Sequence, residues 1–188
     1  KLGYTTGIEN GEATYETAYG HQVRPTTGEE EPGQQWFDLT GKAQGLPYGL
    51  AVLNTGQYGF DVHGRTMRVT LLRSPAYAHH APDRLDASAR HRIMDQGWHD
   101  LHLQLVPHAG PWQDARIVKE AWELNAPLVP HVESSHKGKR PTRATLMGTE
   151  ADNVLLSVVK QSEDGQDIVI RGYEIHGQPA RTTLHMPF

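Results

Sequence analysis

The sequence predicts a large antiparallel β-sandwich with one short helix, and three observations carry that reading. Turn signals built from Gly, Pro, Asn and Asp divide the 188-residue chain into about ten short runs with the length and composition of strands. Within the clearest runs apolar residues recur at every second position, as Leu101, Leu103 and Leu105 do, which is the period of a strand with one buried face. A single stretch, Pro111 to Leu124, carries the spacing of three and four expected of a helix.

Taken in order, the elements begin with "EATYETAYG", a loose alternation that stops at Gly20. The run "QQWFDLT", Gln34 to Thr40, lies between Pro32-Gly33 and Gly41. "GLAVLNTG", Gly49 to Gly56, is an apolar run closed by an Asn-Thr-Gly turn. Tyr58 to Val62 and Thr66 to Leu72 then form a hairpin around His63-Gly64-Arg65, with Gly64 free to take a positive φ. The stretch Ala78 to Gln96 is polar and reads as a long excursion from the sandwich, and Trp98 to Val106 returns to strand. Pro111 suits a first helical position, and Ala115, Val118 and Trp122 share one helical face. Four further strands follow, "RATLMGT", "NVLLSVVK", "QDIVIRGYE" and "ARTTLHM", with "SEDGQ" as a hairpin turn. One domain, 1–188, is expected.

Composition excludes several classes. The formal charge is −4 and both signs are interspersed, so nothing favours nucleic acid or an anionic membrane as partner. The longest mostly apolar run, Val154 to Val159, is far shorter than a bilayer requires. There is no cysteine, hence no disulfide or thiolate site. The chain begins at Lys1 rather than a methionine, and its first residues already read as structured. A piece of a longer polypeptide is therefore expected.

Candidate chemistry is sparse. Among the 12 histidines, His79-His80, His91, His99, His102 and His108 are the obvious metal candidates. His99 and His102 fall on opposite faces of the predicted strand and cannot clasp one ion, so these side chains read as ordinary surface histidines. Glu29-Glu30-Glu31 reads as a solvated loop, and Asp83, Asp86 and Asp95 sit in the excursion. No nucleophile elbow, phosphate-binding glycine loop or His-Glu-x-x-His is present. Trp36, Trp98, Trp112 and Trp122 read as packing residues rather than sugar platforms. Arg73 is different. Alternation in Thr66–Arg73 puts it in line with Met67, Val69 and Leu71, so it is either a strand-end arginine paired with an acid or a fixed fork of donors aimed at a polar ligand.

The blocks "AYGHQVRPTTGEEEPGQQWFDLT" and "GLAVLNTGQYGFDVHGRTMRVTLLRSP" resemble the region C-terminal to the catalytic domain in α-mannosidases of glycoside hydrolase family 38, and most closely its intracellular-type branch. "DQGWHDLHLQLVPHAG" is similar to the block that follows, with His99, His108, Gly97 and Gly110 in register and Leu101 and Leu103 where aromatics are usual. "EAWELNAPL" and "LLSVVKQSEDGQDIVIRGYEIHG" match the remaining two. The five blocks occur in family order from Thr14 to Leu184. The departures are Phe60 for the common Tyr, Asn54-Thr55 for Asn-Asp, and a longer histidine-rich loop.

The resemblance implies a galactose-mutarotase-like sandwich packed on an upstream catalytic domain. That absent domain would hold the zinc ion and both catalytic aspartates of a retaining α-mannosidase, leaving this piece inactive alone and without a metal of its own. The implied substrate is a terminal α-mannoside or an oligomannose, and the implied compartment of the parent is the cytoplasm. Arg73 would reach the edge of the sugar pocket, with Tyr58 and Asp61 lining the cleft or holding Arg73. Apolar surface meant for the barrel would allow self-association, so a homo-oligomer stays open. The alternative is a carbohydrate-binding sandwich with no catalytic role.

Overall fold

A computed structural model describes residues 1–76, 84–139 and 141–186. Its strands, in chain order, are β1 (Leu2–Thr5), β2 (Glu9–Thr17), β3 (Gly20–Arg24), β4 (Glu31–Pro32), β5 (Trp36–Ala43), β6 (Leu46–Asn54), β7 (Gly59–His63), β8 (Thr66–Val69), β9 (Leu103–Ala109), β10 (Gly148–Thr149), β11 (Val154–Gln161), β12 (Ile168–Glu174) and β13 (Leu184–His185). One helix, α1 (Ile117–Asn125), lies between β9 and β10. All strand pairs are antiparallel. A five-stranded sheet runs β3-β2-β5-β6-β9 and a four-stranded sheet runs β1-β8-β7-β4. Two further two-stranded ladders are β10-β13, of two rungs, and the longer β11-β12. The mainly β sandwich with a single helix is as the sequence led us to expect.

The five-stranded sheet is covered on both faces. Ala13, Tyr15, Phe37, Leu39 and Val52 project from one face and pack with Phe60, Val62, Met67 and Val69 of the four-stranded sheet. Phe37 stacks on Phe60 with centroids 4.4 Å apart, and Tyr15 meets both rings edge-on. Such pairs add about 0.5–1.5 kcal/mol each beyond the area they bury. On the other face Trp36, Ala51 and Leu53 pack with Trp112, Ile117, Val118 and Ala121 of the α1 region and with Ile175 after β12. Burial on both sides explains why "LAVL" reads as an unbroken apolar run rather than an alternation.

Strands end where their partners end. β6 stops at Asn54, which pairs with Leu103. Residues 98–102 therefore have no ladder to join and the expected strand from Trp98 shifts to Leu103–Ala109. Trp98, expected to pack, is fully exposed. His99 and His102 lie ahead of β9 on no strand at all, which replaces the opposite-face argument. β8 likewise ends at Val69 and one more rung, Thr70 N–H to the Gly59 carbonyl at 2.8 Å, closes the hairpin. The turn holds Gly64 at φ +57° as anticipated. The expected helix Pro111–Leu124 begins only at Ile117, because Arg116 is left-handed at φ 58° and Pro111–Ala115 form tight turns instead. "RATLMGT" and "ARTTLHM" contribute only β10 and β13, whose two-residue ladder is all that pairs them.

Candidate functional site

The three residues singled out for a sugar pocket sit near one end of the β7–β8 hairpin. Tyr58 immediately precedes β7 and is exposed. Asp61 is one rung inward, opposite Arg68. Arg73 lies four residues past the end of β8 and is exposed, not part of the buried row of Met67 and Val69. Leaving the ladder frees its backbone from the alternation that would have turned it inward.

Asp61 is fully buried and holds two cations. Its Oδ1 accepts from Arg68 Nε and its Oδ2 lies 2.6 Å from Lys1 Nζ. Lys1 also lies 2.6 Å from Glu30 Oε2, so it bridges the two carboxylates. The Thr70 hydroxyl donates to the same Glu30 oxygen. Lys1 and then Thr70 hold the Glu30 carboxyl below its ordinary range, with the nearby charge of Arg73 adding to the effect. Asp61 thus grips Arg68 directly, and its connection to Arg73 runs through Lys1 and Glu30. The acidic run expected to be a solvated loop is partly structural, since Glu31 belongs to β4 and pairs with Arg24 at 3.3 Å.

A second polar group lies on the helix-covered face. Asp38 and His108, 70 positions apart, meet there with Nε2 2.7 Å from Oδ2. His108 Nδ1 donates to the Gly110 carbonyl at 3.1 Å. Both ring nitrogens face acceptors, so the protonated imidazole finds a partner for each N–H. Burial alone would lower the His108 pKa, but the Asp38 carboxylate outweighs it and the histidine titrates above its ordinary value. Gly49 makes room for the ring: a Cβ there would stand 2.1 Å from Cε1 of His108. The third such group, Glu16, is buried and accepts the Gln35 N–H at 2.6 Å. Loss of solvent pushes its pKa up to about 7 despite that bond and one from the Trp36 N–H. A group with that pKa exchanges protons near neutrality, but its burial and its bonds to the Gln35 and Trp36 backbone mark it as part of the core.

Beside Tyr58 opens a cleft of about 430 Å³ lined by Gly33, Gln34, Gln35, Asn54, Gly56, Tyr58 and Asn125. Three connections build it. Asn54 closes the β6–β7 turn, its Oδ1 accepting from Gly56 N–H at 3.0 Å and Gln57 N–H at 2.8 Å while its Nδ2 donates to the Gln34 carbonyl. Asn125 at the end of α1 donates to the carbonyls of Asn54 and Ala121. Gly33 N–H donates to the Tyr58 carbonyl at 3.0 Å, tying the two rims. None of these lining residues is charged.

Among the described residues no group of three or more His, Cys, Asp or Glu side chains is placed to hold a metal ion. A zinc ion therefore finds no ligand set among them. His79, His80 and Asp83 lie outside the described residues. Asp86 is exposed and bonds Ser88.

Two family models match the chain. One, the glycosyl hydrolases family 38 C-terminal domain, covers residues 1–84, and the other, the family 38 C-terminal beta sandwich domain, covers residues 153–188. The chain belongs to glycosyl hydrolase family 38. Alpha-mannosidase 2C1 of Homo sapiens is 32% identical over 99% of this chain, and an alpha-mannosidase of Saccharomyces cerevisiae is 30% identical over 98% of it. The chain spans 17% of the length of each. The crystal structure of an alpha-mannosidase from Enterococcus faecalis V583 superposes with a TM-score of 0.75 at 17% identity, covering 98% of this chain and 21% of that one. At that identity the likeness concerns the fold. What the sequence missed within this family 38 region are the Asp38–His108 pair, Glu16 and the amide-lined cleft. A signal existed for Asp38, an acid set among the apolar Trp36, Phe37 and Leu39.

Proposed function

We propose that this chain is the C-terminal β-sandwich, one domain over residues 1–188, of a retaining, zinc-dependent α-mannosidase that hydrolyses terminal α-mannosides. In this reading it packs on a catalytic domain upstream, which holds the zinc and the catalytic carboxylates, and the parent works in the cytoplasm. The observation that carries it is the match to relatives named alpha-mannosidases along nearly the whole chain, with the two family 38 models in order at its two ends.

Arg73 is the residue this domain lends to the sugar pocket. Its guanidinium stands in solvent past the last rung of β7–β8, near Glu30, with Tyr58 at the other side of the same hairpin end. A charge-assisted bond from such a fork to a sugar hydroxyl contributes about 1.5–3 kcal/mol, so its loss is expected to lower the rate on the order of tenfold or more.

The test is kcat/KM for an aryl α-mannoside with the full-length protein. The wild type is expected to turn over, to lose activity on chelation and to regain it with zinc, and Arg73→Ala is expected to fall tenfold or more. An active parent with an unaffected Arg73→Ala variant reduces this domain to a scaffold, and an inactive parent removes the mannosidase reading.

A further inference from the structure

The cleft beside Tyr58 has a lining that selects its ligand. Gln34, Gln35, Asn54 and Asn125 supply four carboxamides, Gly56 is exposed, and neither a formal charge nor an aliphatic side chain takes part. Carboxamides pair donor with acceptor at fixed spacing, which suits a hydroxyl that both gives and takes a proton. An anion would find no cation among these described residues, and the Tyr58 ring is their one large apolar surface. Tyr58 is 61% exposed and lines the same cleft, offering a flat ring on which the C–H face of a pyranose can rest.

Two further facts point to a ligand rather than a packing accident. The lining is held in place before anything binds: Asn54 spends its Oδ1 on the turn and its Nδ2 on the Gln34 carbonyl, and Asn125 ties the end of α1 to Asn54. Pre-organised polar groups of this kind hold a ligand without first having to order themselves. Within them Gln35 has a buried Oε1 with no hydrogen-bond partner among the described residues. A buried acceptor left unmatched destabilises the free protein, and a ligand hydroxyl bonded to it would remove that cost.

We infer that this cleft binds one uncharged sugar residue of a glycan, gripped by the carboxamides of Gln35 and Asn125 and covered by Tyr58. The choice of a mannose-containing probe rests on the mannosidase reading, whereas the preference for a neutral polyol rests on the cleft alone.

The experiment is isothermal titration of the full-length protein with thio-linked α-mannobiose, which resists hydrolysis, using wild type, Gln35→Leu and Tyr58→Ala. Gln35→Leu leaves the backbone bond to Glu16 in place and deletes the unmatched amide, so its melting temperature should equal or exceed that of the wild type while its affinity falls fivefold or more. Tyr58→Ala, a change at an exposed side chain, should also weaken binding fivefold or more. Mannose 6-phosphate should bind no more tightly than mannose. Affinity unchanged in both variants, or clearly tighter binding of the phosphorylated sugar, overturns the inference. Absence of aryl-mannoside hydrolysis by the wild type would instead count against the mannosidase reading, and the titration would still judge the cleft.

Discussion

The two faces of the five-stranded sheet are built on opposite principles. The face toward β7 and β8 is apolar throughout: Ala13, Tyr15, Phe37, Leu39 and Val52 meet Phe60, Val62, Met67 and Val69 with no ion pair between them. The face toward α1 mixes Trp36, Ala51 and Leu53 with the buried Thr14, Glu16, Asp38 and His108. The first derives its strength from area removed from water, which is indifferent to pH. The second keeps titratable groups in the core, each satisfied by a specific partner, and so links this side of the fold to the proton concentration.

Breaking the apolar face should cost most. Phe37→Ala removes the ring stacked on Phe60 and touching Tyr15, and a truncation of that kind typically loses about 3–5 kcal/mol. The denaturation midpoint should fall by a similar amount at pH 5 and at pH 8. A loss that depended strongly on pH would blur the contrast between the faces.

The polar face should answer to pH instead. Glu16 titrates at about 7 in the folded state against an ordinary value of 4.5. Its folded pKa is the higher one, so the native state holds the proton more tightly. Stability is then greatest below about 4.5 and falls as pH rises toward 7. The shift corresponds to about 3 kcal/mol at most. Glu16→Gln should flatten the profile across this window and leave the variant more stable than wild type at pH 8, as melts at pH 5 and pH 8 would show. A variant with an undiminished slope would mean that other groups carry it.

Asp38→Asn sharpens the same point with a smaller effect. The carboxylate raises the His108 pKa, so the pair stabilises the fold below the ordinary histidine value of 6.5 and loses that contribution as pH rises through the folded pKa. The substitution should cost about 1.5–3 kcal/mol near pH 6, the range for a hydrogen bond to a charged group, and less at pH 8. Following the His108 ring by NMR would test it directly: its pKa should drop in the variant.

The sequence and the structure agree where the information is local. The β7–β8 hairpin, its Gly64 turn and the β11–β12 hairpin around "SEDGQ" are encoded by period-two apolar runs and turn residues within a few positions of each other. Misreadings arose where a distant partner decides. Trp98 looks like a strand residue but β6 has already ended at Asn54, and Arg73 looks inward-facing but β7 offers no rung beyond Gly59.

Sequence alone therefore determined a mainly β, cysteine-free chain with one helix, and through five ordered blocks its place in glycosyl hydrolase family 38. Only the tertiary structure decided which strands lengthen or stop, which face is polar, and which side chains meet. Asp38 and His108 are 70 positions apart and Asn54 and Asn125 are 71 apart. Each strand's own period says which face a side chain takes, but the register between strands fixes its neighbour, and register is a property of the assembled sheet.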